Sequence, residues 1–313
     1  MAGMVMGRHE LPKAELHLHL EGSVTPDLVR ELAPALSIEA IKSRFGFRTF
    51  AGFLDCYKWV VGYLRTPEDY ALLARRLLAS LEQQNVRYAE ITISAGVILW
   101  KKQDFAAIYD ALQCEAHASS VVVRWNLDAI RHFGAEHAKQ VAELAVERVD
   151  KGVVSFGIGG DEVRGPAEWF TEVYQFAKAN RLRLTAHAGE TAGPESVWAA
   201  LRLGAERIGH GIRAVDDPVL VQHLRDHRIP LEICISSNVA TGAVESLRAH
   251  PVRRLYEAGV PIVLNTDDPG LFDTTLEGEY DLAEREFGFS QAELAQIVEN
   301  GFRYAFASVD APA

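Results

Sequence analysis

Cysteine is scarce in this chain, and what there is cannot staple it: Cys56, Cys114 and Cys234 are odd in number and widely spaced, with no CxxC pair to form a zinc knuckle or redox couple. A reducing compartment is the expectation, and with it a cytoplasmic protein. No apolar run approaches the roughly 20 residues of a membrane span, and the opening MAGMVMGRHE has no apolar core long enough for a signal peptide. Positive charge is also in short supply. With 32 Lys and Arg against 43 Asp and Glu, the net charge of −11 argues against nucleic acid or an anionic membrane as the main partner and fits an enzyme acting on a small molecule. There is no low-complexity stretch, no interdomain linker and no internal repeat larger than a strand and a helix. The 313 residues, 48% hydrophobic and 24% charged, have an ordinary globular composition and are expected to form one domain.

What is present is an alternation. Strand-like runs at Ala14–Leu20, Val86–Ser94, Val121–Ile130, Val153–Gly160, Leu182–Ala186, Arg207–His210, Pro230–Ser236 and Pro261–Asp268 are each followed by helical sequence. Thr25 and Pro26 read as the N-cap and first position of the first helix. Strand–helix alternation implies parallel pairing through crossovers, and eight units with no strand left over predict an α/β protein, a (β/α)8 barrel. A doubly wound open sheet competes, but it usually carries a Gly-rich phosphate loop after its first strand, and Glu21-Gly22-Ser23 is no GxGxxG. The segment from Ser37 to about Pro67 interrupts the alternation after strand one. It is rich in aromatics and reads as a helical lid. Residues before Leu11 are expected to be loose, with His9 solvent-exposed.

In such a barrel the chemistry belongs at the C-terminal strand ends. Those ends carry His17 and His19, two apart and so on one side of a strand; Gly160-Asp161-Glu162; His187 and Glu190; His210; Ser236-Ser237-Asn238; and Asp267-Asp268. Taken singly, His187 reads as a hydrogen-bonded core histidine and Asp267-Asp268 before Pro269 as an Asx-turn. Gathered on one rim they read differently. Buried imidazoles and carboxylates are costly unless a metal or hydrogen bonds compensate them, and three histidines with a carboxylate suit a borderline-soft divalent ion, zinc first.

ELHLHLEG, HAGE, RIGHG, SSNVATGAV and LNTDDP resemble the signature blocks of the adenosine deaminase family of the amidohydrolase superfamily, in order, from about Leu11 to Ser308. The resemblance implies one zinc per chain, held by His17, His19, His187 and Asp267. It implies that Glu190 protonates purine N1, that His210 assists the water activated by zinc, that Asp268 orients that water and contacts N7, and that Gly160 meets the N3 edge through its backbone. The chemistry is coherent: loss of ammonia from C6 needs a hydroxide-like nucleophile at neutral pH, and attack pushes electron density onto N1, where an acid lowers the barrier. Two-metal amidohydrolases carry a bridging lysine late in strand four, and Val153–Gly160 has none.

The substrate is read from departures. Many family members resemble HLDG where this chain has Leu20-Glu21-Gly22, so the carboxylate expected at a ribose 5′-hydroxyl is one methylene longer. Around Cys56–Tyr70, Lys58 and Arg65 are interleaved with Tyr57, Trp59 and Tyr63, a cover that suits an aryl carboxylate at C5′. In this the chain is similar to the 6-amino-6-deoxyfutalosine deaminases of menaquinone biosynthesis. Adenosine and adenine remain alternative substrates. A metal-dependent amidase on the same scaffold would leave Glu190 without work, and a catalytically dead binding module would not retain every ligand and the acid.

Overall fold

Alternation in KAELHLH puts Glu15, His17 and His19 on one face of β1 (Lys13–His19) and Ala14, Leu16 and Leu18 on the other, with all seven residues buried. The computed structural model describes residues 11–307, so His9 with the segment before Leu11, and the residues from Ser308 on, lie outside it. After β1 come β2 (Val86–Ile93), β3 (Val122–Ile130), β4 (Val153–Gly159), β5 (Arg183–Ala188), β6 (Arg207–His210), β7 (Leu231–Ile233) and β8 (Ile262–Leu264). Every neighbouring pair is parallel and the sheet runs in chain order from β1 to β8. Helices follow the strands, giving a (β/α)8 barrel.

The ring closes at one residue. Leu18 bridges Asp267 in parallel; the Asp267 N–H donates to His17 O at 3.0 Å, and the His19 N–H donates to Asp267 O at 2.8 Å. Beside it, Asn265 Oδ1 accepts the N–H groups of both Leu16 and His17. A side chain thus replaces ladder bonds, which is why β8 stops at Leu264, short of the expected Asp268. β7 is shortened too, because Ile235–Ala240 winds into a helix instead of continuing to Ser236.

α1 (Pro26–Leu32) starts as expected, with Thr25 Oγ1 accepting the Leu28 N–H and Pro26 in the first turn, and it ends before Pro34, whose ring cannot continue a helix. The expected lid segment folds as α2 (Ile38–Arg44) and α3 (Phe50–Val61), and α4 (Pro67–Gln83) begins with a capping box made by Thr66 and Asp69. No helix among the described residues is long and apolar enough to cross a membrane.

The barrel interior is polar where such barrels are usually filled with branched aliphatics. Buried Arg207 donates through Nε to Glu232 and through Nη2 to Glu90, both at 2.5 Å, so its charge is paired twice. Its Nη1 donates to Tyr304 O at 2.8 Å and its guanidinium lies 3.6 Å from the Phe306 ring centroid. The segment after the final helix, Gln291–Arg303, therefore closes the barrel end opposite the candidate site.

Candidate active site

β1, β5, β6 and the turn after β8 deliver imidazoles and a carboxylate to one point. His17, His187, His210 and Asp267 each offer a ligand atom, all within 4.8 Å of one another. His19 falls outside that mutual limit, yet its Nε2 is 3.2 Å from His187 Nε2 and 3.3 Å from Asp267 Oδ1. Distance therefore leaves five candidates for four places. His210 and Asp267 both sit at positive φ, +60° and +64°, strained conformations for residues other than glycine that the surrounding backbone bonds hold. Gly22 and Gly209 leave room for the cluster: a Cβ on Gly22 would stand 1.7 Å from Asp268 Oδ1, and one on Gly209 would stand 2.7 Å from His17 Cε1.

Hydrogen bonds orient the rings. His17 Nδ1 donates to Glu232 Oε2 at 2.7 Å. Burial works against charge on Glu232, but Arg207 outweighs it and, with His17, holds that carboxylate below its usual range. His187 Nδ1 donates to Ile158 O at 3.2 Å. Both rings thus turn Nε2 inward, as ligand histidines do when a carboxylate or carbonyl holds the other nitrogen. His17 Nε2 has no hydrogen-bond partner of acceptable geometry, although Asp267 Oδ1 lies 3.2 Å away. Burial opposes a proton on His17, but Asp267 and Glu232 outweigh it and push the ring up to about 10. A proton there stands where a cation fits, and three nitrogens with one carboxylate are a donor set for a divalent metal.

The acids divide sharply. Asp267 is held well below the usual carboxylate range, because His17, 3.2 Å away, and the surrounding imidazoles overcome its burial. Glu190 is driven well above that range by burial, with Asp267 and Glu162 adding like charge, so it keeps its proton; its Oε2 is 3.7 Å from His210 Nε2. Asp268 is also raised by burial and by Asp267, and its Oδ1 has no partner. One carboxylate and two carboxylic acids in the same site can serve as ligand, proton donor and hydrogen-bonding group.

Two supporting residues had no role in the sequence reading. Glu162, placed there on the rim after strand four, accepts the N–H groups of Gly189, Glu190, Thr191 and Ala192 together with the Ser196 hydroxyl. Glu232 sits mid-strand in β7, and only the fold sets it against His17. A glutamate at a strand end was the signal for the first; the sequence offered none for the second.

A cavity of about 80 Å³ lies over the cluster, lined by His19, Gly160, His187, Glu190, His210, Asp267 and Asp268 on the barrel side and by Phe50, Phe53, Leu54 and Tyr57 of α3 on the other. A larger cavity of about 840 Å³ lies between α1, α2 and residues 269–275 and contains none of the expected catalytic or metal-binding residues. We place the chemistry in the smaller one, where the ionisable groups converge. The fold does not bring Lys58, Arg65 or Glu21 to its wall. Lys58 is exposed, 4.0 Å from Asp55; Arg65 is exposed, with Nε on Gly62 O and the guanidinium over Tyr63. Glu21 is buried, both oxygens accepting the Ser94 N–H, and Ser94 Oγ lies 2.7 Å from Tyr57 OH.

A family profile described as adenosine deaminase matches residues 12–313. The aminodeoxyfutalosine deaminase of Streptomyces coelicolor is 42% identical over 96% of this chain and 81% of its own length. Among solved structures, an adenine deaminase from Arthrobacter aurescens superposes with a TM-score of 0.89 at 29% identity, covering 95% of this chain and 94% of that one. An amidohydrolase from Burkholderia ambifaria with bound zinc gives 0.88 at 26% identity, covering 99% and 91%.

Proposed function

The chain belongs to the adenosine deaminase family, and from that premise we propose that it removes the 6-amino group of an adenine nucleoside by hydrolysis, with 6-amino-6-deoxyfutalosine as its substrate and menaquinone biosynthesis, in the cytoplasm, as its setting. The observation that carries the reading is the meeting of a histidine–aspartate cluster with a carboxyl group, Glu190, that burial keeps protonated. The extended nucleoside is favoured by the 42% identity to an aminodeoxyfutalosine deaminase.

His17, His19, His187 and Asp267 would hold one zinc ion per chain. Bound there, zinc lowers the pKa of a water and so supplies the nucleophile. Glu190 delivers its proton to N1 as density builds there, held in place by the backbone bonds that Glu162 accepts. Asp268 faces the attacking oxygen and N7, and the Gly160 backbone faces N3. α3 covers the base, and its aromatic side chains exclude water from the reacting carbon.

Loss of purine absorbance tests this on 6-amino-6-deoxyfutalosine, adenosine and adenine in parallel. The expected order of kcat/KM places the extended nucleoside first. A wild type that prefers adenosine would refute the extended substrate; release of no ammonia from any of the three would refute the deaminase.

A further inference from the structure

A chain of hydrogen bonds with only one possible polarity runs into the site from a helix start. Val252 opens the helix Val252–Glu257, so its N–H has no intrahelical acceptor, and it donates instead to His250 Nδ1 at 3.2 Å. A backbone N–H can only donate, so that nitrogen accepts and the proton of the neutral ring sits on Nε2. His250 Nε2 lies 3.0 Å from Asn238 Oδ1, and Asn238 Nδ2 lies 2.9 Å from His210 Nδ1. Reversing the Asn238 amide would set donor against donor at His250. His210 Nδ1 therefore accepts, and the His210 proton is on Nε2, the nitrogen that faces Glu190 Oε2 at 3.7 Å and Asp267 Oδ2 at 3.9 Å. All three side chains are buried, and each contact between them is direct.

We infer that Asn238 and His250 are positioning residues that fix His210 as its Nε2–H tautomer, making it a hydrogen-bond donor to the attacking oxygen and excluding it both as a metal ligand and as the general base. The inference rests on the deaminase reading above. A ligand imidazole must present a lone pair to the ion, and His210 presents a proton. Of the five groups that crowd the centre, His210 drops out and His19 takes the fourth place, although distance alone selects His210. A ring that already carries its proton on the inward nitrogen cannot accept a second without setting an Nδ1–H against the Asn238 amide, so His210 does not take the proton released by the attacking water.

The test uses the zinc-loaded full chain labelled with 15N-histidine. Side-chain NMR, with His210 assigned by the signals lost in His210→Ala, should show a protonated Nε2 and a bare Nδ1. Asn238→Asp is nearly isosteric but offers His210 an acceptor where the amide offered a donor, so Nδ1 should take on a proton. Then kcat should fall by about 10²–10⁴, the scale of a wrong-tautomer histidine, with KM within about threefold. His210→Ala should keep one zinc per chain and His19→Ala should not. A proton on Nδ1 of wild-type His210 overturns the inference, as does Asn238→Asp with wild-type kcat, a loss of kcat with an unchanged tautomer, or zinc lost from His210→Ala. The tautomer and the metal content are read without any substrate, so they fail separately from the deaminase assignment.

Discussion

A carboxyl group pressed into an apolar wall and flanked by other carboxylates holds its proton, and Glu190 owes its proposed work to that. Burial acts first on its pKa, Asp267 and Glu162 reinforce it, and His17 and Arg131 pull back without prevailing. The sign for activity follows: the protonated form is the working one, so kcat should fall as pH rises through the Glu190 pKa. Glu190→Gln should keep its zinc, lose several orders of magnitude in kcat and lose that alkaline limb as well; turnover near wild type would remove Glu190 from the reaction. At this scale the HxH of β1 and the HAGE block were legible, because a strand's two-residue period puts His17 and His19 on one side without help from the rest of the molecule. The roles of Asn238, which stood on the expected rim, and of His250 were not. Each is an ordinary polar residue until a helix start 14 residues beyond Asn238 supplies the N–H that gives the relay its direction.

Among the elements, the loop after β5 shows how one strand end organises the next. Glu162 gathers the consecutive backbone N–H groups that would otherwise point into a dry cavity, and serine Oγ, Arg131 and those amides together hold its carboxylate below the usual range in spite of burial. Glu162→Gln offers one acceptor oxygen in place of two and brings in an amide donor among donors. It should cost about 1–3 kcal/mol in stability and lower kcat at least tenfold through the displaced Glu190, with zinc content unchanged; denaturant melts, zinc analysis and steady-state kinetics separate the three. Strand order and helix starts could be read from periodicity and caps, such as Thr25 with Pro26. The shortening of β8 could not, since it depends on the Asn265 side chain substituting for backbone across the seam, and neither could that of β7, where Ile235–Ala240 winds into a helix. The aromatics of the lid segment divide in a way composition does not reveal: Phe50, Phe53 and Tyr57 face the cavity, while Trp59 packs edge-on against Phe45 and Tyr63.

For the molecule as a whole, the residue that shuts the ring is one of the proposed ligands, so metal and barrel stabilise each other. An ion at 100 times its Kd adds about 2.7 kcal/mol to folding, and a chain of this size shifts by about 1.5 °C per kcal/mol. Removing the metal should therefore lower Tm by about 4 °C and speed hydrogen exchange first at the Asp267 and His19 amides, which form the seam; equal Tm values with and without the ion would uncouple the two. The same seam sets a timetable for synthesis. The first strand to leave the ribosome has β2 for one neighbour within moments, but Asn265, which caps its other side, is 248 residues further on, about 12–50 s at 5–20 residues per second. For that interval β1 is an open strand edge in a crowded cell, and the barrel is finished only when residues 304–307 arrive to cover Arg207 from below.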